Sequence, residues 1–427
     1  MKRLKTFIVA AGFLLCGEAR GQTLLSAAEL KNVMSGNTVR FHHLETGRRG
    51  LTYFDPDGTA LVGNEDLVLA GTWRINPDGT HCVALDGRES CTRVQSNLDG
   101  TYSPIVSGKP VMTWLAVSEG KPLSGFATTK SEYVSFSSLT FPGELLRPFM
   151  PSIEEGKPAR ISAILTLPPG DVRRPAVVLV HGCGGVSTGQ HAWASVLSRL
   201  GVASLIVDSF RNRNIREICT GKQSVNVVSA IADAYHALDF LAANPRIDSS
   251  RIAILGASFG GRASLWTSND RFWQRYGKGA VRFAAHLAFY PASCYVTLVD
   301  EAKVGSAPIR VFHGTADDWI PIGACRAYVD RLRQEGKDAA LLEYAGARHS
   351  FDVAGAPAFR VVPDALNPTN CALLERDGMI VDPASGSEWD IKAKCVSRGA
   401  SVGYDPDAHR KAVGDVQAIL KELFGMN

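Results

Sequence analysis

The sequence predicts a small antiparallel β domain followed by a larger α/β domain, in which a mostly parallel sheet is flanked by helices. The first part is punctuated by turn dipeptides, whereas in the second part apolar strand-like runs alternate with helical patterns. A length of 427 residues also exceeds what one ordinary core needs. We therefore expect a signal peptide over 1–21, a β-rich accessory domain over 22–125 and the α/β domain over 126–427.

The β domain is predicted from Asp-Gly pairs, which supply the positive φ angles of tight hairpins. Short strands are expected at 51–54, 71–75 and 81–84. Three histidines of this part, His42, His43 and His81, are scattered and are expected at the surface rather than as ligands. The pairs are Asp57-Gly58, Asp78-Gly79, Asp86-Gly87 and Asp99-Gly100.

The α/β domain is predicted from nearly continuous apolar runs, as expected of strands covered on both faces. These runs are 176–180, 203–207, 251–255, 283–289 and 309–312, with a further strand near 341–344. A last helix is expected to begin with Asp405 as N-cap and Pro406 at the first helical position. A helical stripe between strands is formed by Val228, Ile231, Tyr235, Leu238 and Leu241.

Residues 355–402 interrupt this pattern with Pro, Asn, Gly and two cysteines, which predicts an inserted loop. Because it follows a candidate catalytic histidine, it is expected to form a lid or one wall of a pocket. A purely structural excursion is the alternative.

Composition excludes several classes of protein. Hydrophobic residues at 45% and charged residues at 21% are typical of a globular chain and exclude a disordered one. The net charge of +4 is not gathered into a block of like charges, so we expect no nucleic-acid partner.

The N-terminus is typical of a secretory signal peptide, with Lys2, Arg3 and Lys5 before an apolar run over 7–15 and small residues at Ala19 and Gly21. That run is shorter than the roughly 20 residues that span a bilayer, which disfavours an anchor. Lipidation at Cys16 is disfavoured because a large residue, Leu15, precedes it. The mature chain is expected to be periplasmic or secreted, without an integral membrane segment.

Signal removal would leave eight of the nine cysteines, and in an oxidising compartment disulfides are expected. Connectivity does not follow from the sequence, and a zinc site is the alternative. No pair of CxxC elements or HExxH motif is present, so we predict no metal. The pairing we test first is Cys82 with Cys91, Cys371 with Cys395, Cys183 with Cys219 and Cys294 with Cys325.

The sharpest motif is Gly256-Ala257-Ser258-Phe259-Gly260, which lies between a predicted strand and a predicted helix. In that setting a GxSxG turn holds the serine in a strained conformation with its hydroxyl exposed. We therefore predict that Ser258 is a nucleophile.

A serine hydroxyl needs a base, and the base needs a third group that orients it. Asp317 follows the strand at 309–312, and His349 follows the strand near 341–344. Ser258, Asp317 and His349 stand in the chain order that α/β-hydrolases use for their catalytic triad. Asp318 competes with Asp317 for the role.

An oxyanion hole is predicted from the glycine-rich segment after the strand at 176–180, His181-Gly182-Cys183-Gly184-Gly185. We expect the backbone amides of Cys183 and Phe259 to supply the donors. A phosphate-binding loop is excluded because neither GxGxxG nor a Walker A lysine is present. His181 is expected to be structural.

From about Ser131 to the C-terminus the chain resembles the dienelactone hydrolase family, through the segments 181–185, 256–260, 314–321 and 346–351. The resemblance implies an α/β-hydrolase fold and the triad above. The namesake enzymes use a cysteine nucleophile and a glutamate in the oxyanion loop, whereas this chain has Ser258 and Gly182. The resemblance therefore implies a serine esterase of this family and disfavours dienelactone as the substrate.

The expected function is hydrolysis of a small-molecule or polymer-borne carboxylic ester through an acyl-enzyme, with no cofactor. Two alternatives are a peptidase of related fold and a non-catalytic envelope binding protein. The sequence predicts neither the acyl group, the alcohol nor the oligomeric state.

Overall fold

The computed structural model describes residues 23–44, 49–63, 68–85, 88–97, 101–119, 130–168, 170–277, 279, 281–354 and 356–426. The chain divides into two compact units. The first comprises 1–62 and 71–122, and the second comprises 63–70 and 123–427.

The N-terminal part forms an antiparallel sheet of ten strands with one helix, α1 (Ala27–Met34). The strand β8 pairs with both β10 and β7, which closes the sheet into a barrel. Ser26 caps α1 in a capping box with Glu29. The strands are β1 (Thr23–Leu24), β2 (Asn37–His43), β3 (Arg49–Phe54), β4 (Thr59–Gly63), β5 (Val68–Ile75), β6 (Thr80–Leu85), β7 (Arg88–Ser96), β8 (Tyr102–Val106), β9 (Lys109–Pro110) and β10 (Met112–Glu119).

Two of the predicted turns are confirmed. Gly58 and Gly79 have φ angles of 91° and 78°, and the preceding aspartates accept the amides of Thr59 and Thr80. The pairs Asp86-Gly87 and Asp99-Gly100 lie outside the described residues. The three predicted strands are confirmed as β3, β5 and β6.

The expectation that His81 lies at the surface is wrong. It is 7% exposed, and its ring packs 5.6 Å from that of Phe54 and 5.9 Å from that of Trp114. Burial lowers the pKa of His81 to about 4, so it is neutral at pH 7. His42 is half-buried, and the side chain of His43 lies outside the described residues.

The second unit contains an eight-stranded sheet in the order β11-β12-β14-β13-β15-β16-β18-β19. Its first two strands, β11 (Lys130–Thr140) and β12 (Lys157–Leu167), are antiparallel to their neighbours, and the strands from β14 to β19 run parallel. The others are β13 (Arg174–Val180), β14 (Ala203–Asp208), β15 (Ile247–Ala257), β16 (His286–Phe289), β18 (Ile309–Gly314) and β19 (Ala339–Tyr344), and a short β17 (Val296–Thr297) lies in another sheet.

Helices cover both faces of this sheet because its side chains alternate between two cores. Val178 of β13 lies in the core formed with α3, whereas Val177 lies in the core formed with α2 and α7. Asp405 caps α7 with Pro406 at its start, and the apolar stripe of α3 is buried, both as predicted. The helices are α2 (Thr188–Arg199), α3 (Val227–Ala242), α4 (Phe259–Trp266), α5 (Asp270–Tyr276), α6 (Ile322–Gln334) and α7 (Pro406–Phe424).

The strand predicted at 283–289 is shorter than expected and begins at His286. Its neighbour β18 begins at Ile309, and the preceding residue, Pro308, has no amide to donate. The ladder between these strands therefore starts at the pair of His286 with Ile309. Phe283 and Ala285 are nevertheless buried.

The prediction of a loop over 355–402 is also corrected. The segment contains β20 (Arg360–Asn367) paired with β23 (Ser397–Val402), and β21 (Leu373–Arg376) paired with β22 (Met379–Val381). Backbone pairing satisfies its polar groups, and the Pro- and Gly-rich composition concealed this.

The structure confirms the cysteine pairing that the sequence analysis puts first. The four disulfides are Cys82–Cys91, Cys183–Cys219, Cys294–Cys325 and Cys371–Cys395. Among the described residues, the structure contains no helix with the length and apolar character needed to span a membrane.

Candidate active site

Ser258 occupies a sharp turn between β15 and α4. Its φ of 56° and ψ of −111° are unfavourable for a residue with a Cβ, and its amide donates to the carbonyl of Phe289 at 2.9 Å. A Cβ on Gly256 would lie 2.0 Å from the carbonyl oxygen of Gly260, and one on Gly260 would lie 2.4 Å from that of Val180. The two glycines of the motif are therefore required for strand and helix to meet so closely.

Asp317 and His349 form a buried pair at the ends of β18 and β19. The Nδ1 of His349 donates to Asp317 Oδ2 at 2.8 Å. The other oxygen, Oδ1, accepts the amides of Trp319 at 2.9 Å and Ile320 at 2.8 Å. These bonds fix the carboxylate and assign the proton to Nδ1, which leaves Nε2 as the atom that can accept a proton.

The pKa of Asp317 lies below its usual value. Burial alone would raise the pKa of Asp317. The nearby His349 ring, the hydrogen bond from that ring and the hydrogen bond from the Ile320 amide all lower the pKa, and together they outweigh burial. The carboxylate is therefore ionised at neutral pH, which is the state needed to stabilise an imidazolium.

Asp318, the competitor for this role, has other partners. It is exposed, and its two oxygens accept the amide and the hydroxyl of Ser401 at 2.8 and 2.7 Å. Of the two carboxylates, Asp317 is therefore the one bonded to His349.

Trp319 links the surroundings of Ser258 and His349. The centroid of the His349 ring lies 4.4 Å from that of Tyr290 and 4.9 Å from that of Trp319, and Trp319 lines the same cleft as Ser258. A direct hydrogen bond between Ser258 and His349 is not among those formed by the described residues. Such contacts are often long in a free enzyme and shorten when substrate binds.

The two residues whose amides are predicted to form the oxyanion hole, Cys183 and Phe259, line the same cleft as Ser258. The Phe259 amide is at the first position of α4, where an N–H has no partner inside the helix. The Cys183 loop passes close to the nucleophile, because a Cβ on Gly182 would lie 3.6 Å from the Ser258 Cβ. The Cys183–Cys219 disulfide ties this loop to the neighbouring segment around Cys219, which also lines the cleft.

His181 and His313 are buried and have structural contacts. His181 Nδ1 donates to the Gly182 carbonyl at 2.8 Å, and its Nε2 accepts the Ser209 amide at 3.2 Å, as expected for a structural residue. His313 Nδ1 donates to the Gly314 carbonyl at 3.0 Å. Burial is the largest cause of a lowered pKa in both residues, so both are neutral.

The cleft around Ser258 has an empty volume of about 590 Å³, which includes the part of its mouth that is open to solvent. Its walls are mainly apolar, and the segment 356–402 supplies one of them. Sequence reasoning missed Trp319 and Arg262, because an isolated tryptophan or arginine carries no signal of its position until the strands are assembled. The lining from the segment consists of Leu366, Pro368, Trp389, Ile391 and Val396, and the rest includes Leu145, Ile218, Arg262, Ala292, Tyr295, Trp319 and Ile320.

The strand order and the serine turn define an α/β-hydrolase. Residues 161–371, just under half of the chain, match the model of the dienelactone hydrolase family. The sequence is 24% identical over 203 residues to a probable 2-oxo-3-(5-oxofuran-2-ylidene)propanoate lactonase from Bradyrhizobium sp., a match that covers 44% of this chain and 78% of that protein. The family consists of hydrolases that act on ester-type bonds.

Similar solved structures include an esterase from Thermogutta terrifontis, with 19% identity, 47% of this chain and 81% of that chain covered, and a TM-score of 0.37. A putative dienelactone hydrolase from Klebsiella pneumoniae is 16% identical, with 67% of this chain and 98% of that chain covered and a TM-score of 0.42. The phosphotriesterase P91 from metagenomic libraries, described as dienelactone hydrolase-like, is 18% identical, with 68% of this chain and 98% of that chain covered and a TM-score of 0.38. At these scores, the likenesses say nothing about the substrate.

Proposed function

We propose that this chain is a serine hydrolase that cleaves carboxylic esters through an acyl-enzyme. The single observation that carries the proposal is the hydrogen bond between Asp317 and His349, formed beside the cleft that contains the strained Ser258. A strained serine, a histidine oriented by a carboxylate and free amides are the components that acyl transfer requires.

In the first half-reaction, the Ser258 oxygen attacks the ester carbonyl while His349 Nε2 takes the hydroxyl proton. Asp317 stabilises the imidazolium, and the Cys183 and Phe259 amides donate to the carbonyl oxygen as it becomes negative. The alcohol leaves with the proton from His349. In the second half-reaction, water attacks the acyl-Ser258 ester by the same steps, and the carboxylic acid is released.

The test is a hydrolysis screen over 4-nitrophenyl esters of increasing acyl length and over simple lactones, with wild type and Ser258→Ala. A loss of several orders of magnitude in kcat is expected for the variant, since members of a triad act as a unit. Ser250→Ala changes an exposed serine near the start of β15 and is the matched control. Unchanged turnover by Ser258→Ala would refute the nucleophile.

The same preparation distinguishes a peptidase, which would cleave peptide 4-nitroanilides faster than esters of the same acyl group. It also distinguishes a binding protein without activity, whose Ser258 would not react with a fluorophosphonate probe. We expect ester turnover and labelling.

A further inference from the structure

The segment 356–402 forms one wall of the cleft, and its contacts fix that wall to neighbouring elements. The indole N–H of Trp319, on the loop after β18, donates to the Leu366 carbonyl at 2.7 Å. Glu375 of the segment forms an ion pair with Arg271 of α5 at 2.7 Å, and the Glu375 side chain is 4% exposed. A disulfide also joins two points of the segment. The wall is therefore already formed before a substrate binds.

Two side chains of this wall, Leu366 and Ile391, are also packed against a neighbouring loop. Gly221 of that loop has a φ of 71°, and a Cβ there would lie 2.6 Å from Leu366 Cδ1 and 3.5 Å from Ile391 Cδ1. Because Gly221 has no side chain, the loop packs directly on both residues. Both residues line the cleft, so the packing fixes the shape of the cleft at this point.

The residues that the segment contributes to the cleft all have apolar side chains. Their one polar side-chain atom, the indole nitrogen of Trp389, is shielded from solvent. A ligand in the cleft therefore meets a hydrocarbon surface on this wall. The residues are Leu366, Pro368, Trp389, Ile391 and Val396.

Among the described residues that line the cleft, Arg262 is the one with a charged side chain at neutral pH, and its donors are not available to a ligand. Arg262 is 1% exposed. Its Nε and Nη2 donate to the Ala292 carbonyl at 3.0 and 2.5 Å, Nη2 also donates to the Tyr295 hydroxyl at 2.6 Å, and Nη1 is shielded from solvent. The rings of Trp266 and Tyr295, each 5.5 Å from the guanidinium carbon, stabilise the cation.

Such a cleft discriminates by charge. A carboxylate or an ammonium group that enters it loses water and gains no ion pair or charge-assisted hydrogen bond from the wall, which is unfavourable. A hydrocarbon chain gains free energy when it leaves water for an apolar surface.

We propose that the part of the ester held in this cleft is an uncharged hydrocarbon chain, so that the enzyme selects apolar esters and rejects esters that carry a carboxylate at the same place. This inference rests on the proposed function. The chain belongs to the acyl part or to the alcohol part of the ester, and the two arms of the test distinguish these sources.

The acyl arm compares 4-nitrophenyl hexanoate with the 4-nitrophenyl monoester of adipic acid, in which a carboxylate replaces the terminal methyl group. The alcohol arm compares hexyl acetate with the acetate ester of 6-hydroxyhexanoic acid, which differ in the same way. Wild type is expected to favour the hydrocarbon member by at least about tenfold in kcat/KM in the arm whose chain occupies the cleft, because a buried carboxylate has no partner there. Rates are corrected for spontaneous hydrolysis of each ester.

Ile391→Lys places a cation in the wall and is expected to lower this preference by at least about fivefold, because the carboxylate then has a partner. Val361→Lys is the matched control. It adds the same charge to the same segment at a residue that is 55% exposed and is not among those lining the cleft, so the wild-type ratio is expected. Each ratio is measured on one preparation, so any misfolded fraction cancels.

A wild-type ratio near one in both arms, with hydrolysis that is lost in Ser258→Ala, would overturn this inference and leave the proposed function standing. An unchanged ratio in a folded Ile391→Lys would also overturn the role of the wall, and if that variant does not fold, the wild-type ratios decide. A wild type that hydrolyses none of the four esters and does not react with a fluorophosphonate would overturn the proposed function as well.

Discussion

At the scale of single residues, the two neighbouring carboxylates of the loop after β18 are expected to differ sharply in function. Asp317→Asn keeps the shape of the side chain but loses the charge that holds the Nδ1 proton of His349. We expect kcat for ester hydrolysis to fall by about 10⁴, the effect of the equivalent change in other triads. The measurement is steady-state hydrolysis of a 4-nitrophenyl ester.

Asp318→Asn is the matched control, one residue away. Its carboxylate bonds to Ser401 and not to His349, so kcat should stay within about tenfold of wild type. If Asp318→Asn were the more damaging change, the roles of the two carboxylates would have to be exchanged.

How far the sequence predicts the site is clearest for Ser258, Asp317 and Arg262. Ser258 carries a local signal, since a GxSxG turn needs its glycines at fixed offsets. Asp317 and Asp318 could only be ranked, because the choice depends on which side chain the fold turns toward His349. Arg262 carries no local signal at all: its burial depends on Ala292 and Tyr295, which are distant in the chain.

At the scale of elements, the oxyanion loop depends on a crosslink. The proposed oxyanion hole includes the Cys183 amide, and the Cys183 side chain is bonded to Cys219, which also lines the cleft. Cys219→Ser keeps that amide but removes the covalent link, so that the hydrogen bond from the Ile218 amide to the Cys183 carbonyl, at 2.9 Å, remains between the two segments. We expect kcat to fall by up to the roughly 10²–10³ seen when one oxyanion donor is removed, with a smaller change in KM.

The control for this crosslink is the double variant Cys82→Ser/Cys91→Ser, which removes a disulfide from the N-terminal barrel. It should leave kcat unchanged. Equal losses in both variants would mean that the Cys183–Cys219 bond acts on stability and not on the oxyanion loop.

The strand β16 carries a buried histidine that makes stability depend on pH. His286 Nδ1 donates to the Ser264 carbonyl at 2.9 Å, and burial lowers its pKa to about 4. Between pH 6.5 and 4 the unfolded chain binds a proton at this residue that the folded chain does not. The free energy of unfolding should therefore fall as the pH falls, by up to about 1.4 kcal/mol per pH unit from this residue.

The measurement is urea denaturation followed by tryptophan fluorescence at several pH values from 7.5 to 5. His286→Gln should show a shallower dependence, because Gln does not titrate. An identical slope in the variant would assign the acid sensitivity to other groups.

The elements were predicted unequally from the sequence, for a physical reason. The central parallel strands are buried on both faces and show as apolar runs, as in β13 and β14. The hairpin of β11 and β12 was missed, since polar residues such as Ser135 and Ser137 interrupt its pattern. In the segment 356–402, turn residues interrupt the apolar pattern in the same way, and four strands were therefore missed.

At the scale of the whole molecule, we propose that the chain is exported and works in its oxidised form. Four disulfides are consistent with this location. Expressed with its N-terminus intact, the protein should be recovered outside the cytoplasm with an N-terminus after Ala19 or Gly21. Intact-mass measurement after alkylation should show no free thiol, whereas a full-length mass with free thiols would contradict export.

Reduction of the disulfides should also lower the stability of the molecule. In the chain-entropy account, each disulfide contributes about 2–4 kcal/mol by restricting the unfolded chain. Thermal unfolding with and without dithiothreitol should therefore give a lower midpoint for the reduced protein. An unchanged midpoint, with reduction verified by mass, would show that the disulfides contribute little.

The most direct test of the catalytic account is to map the site of covalent reaction. The wild-type protein is treated with a fluorophosphonate and digested, and the modified peptide is sequenced by mass spectrometry. The account predicts one modified residue, Ser258, in step with the loss of esterase activity, and greatly slowed labelling in His349→Ala. Modification at another serine, or full inhibition with Ser258 unmodified, would contradict it.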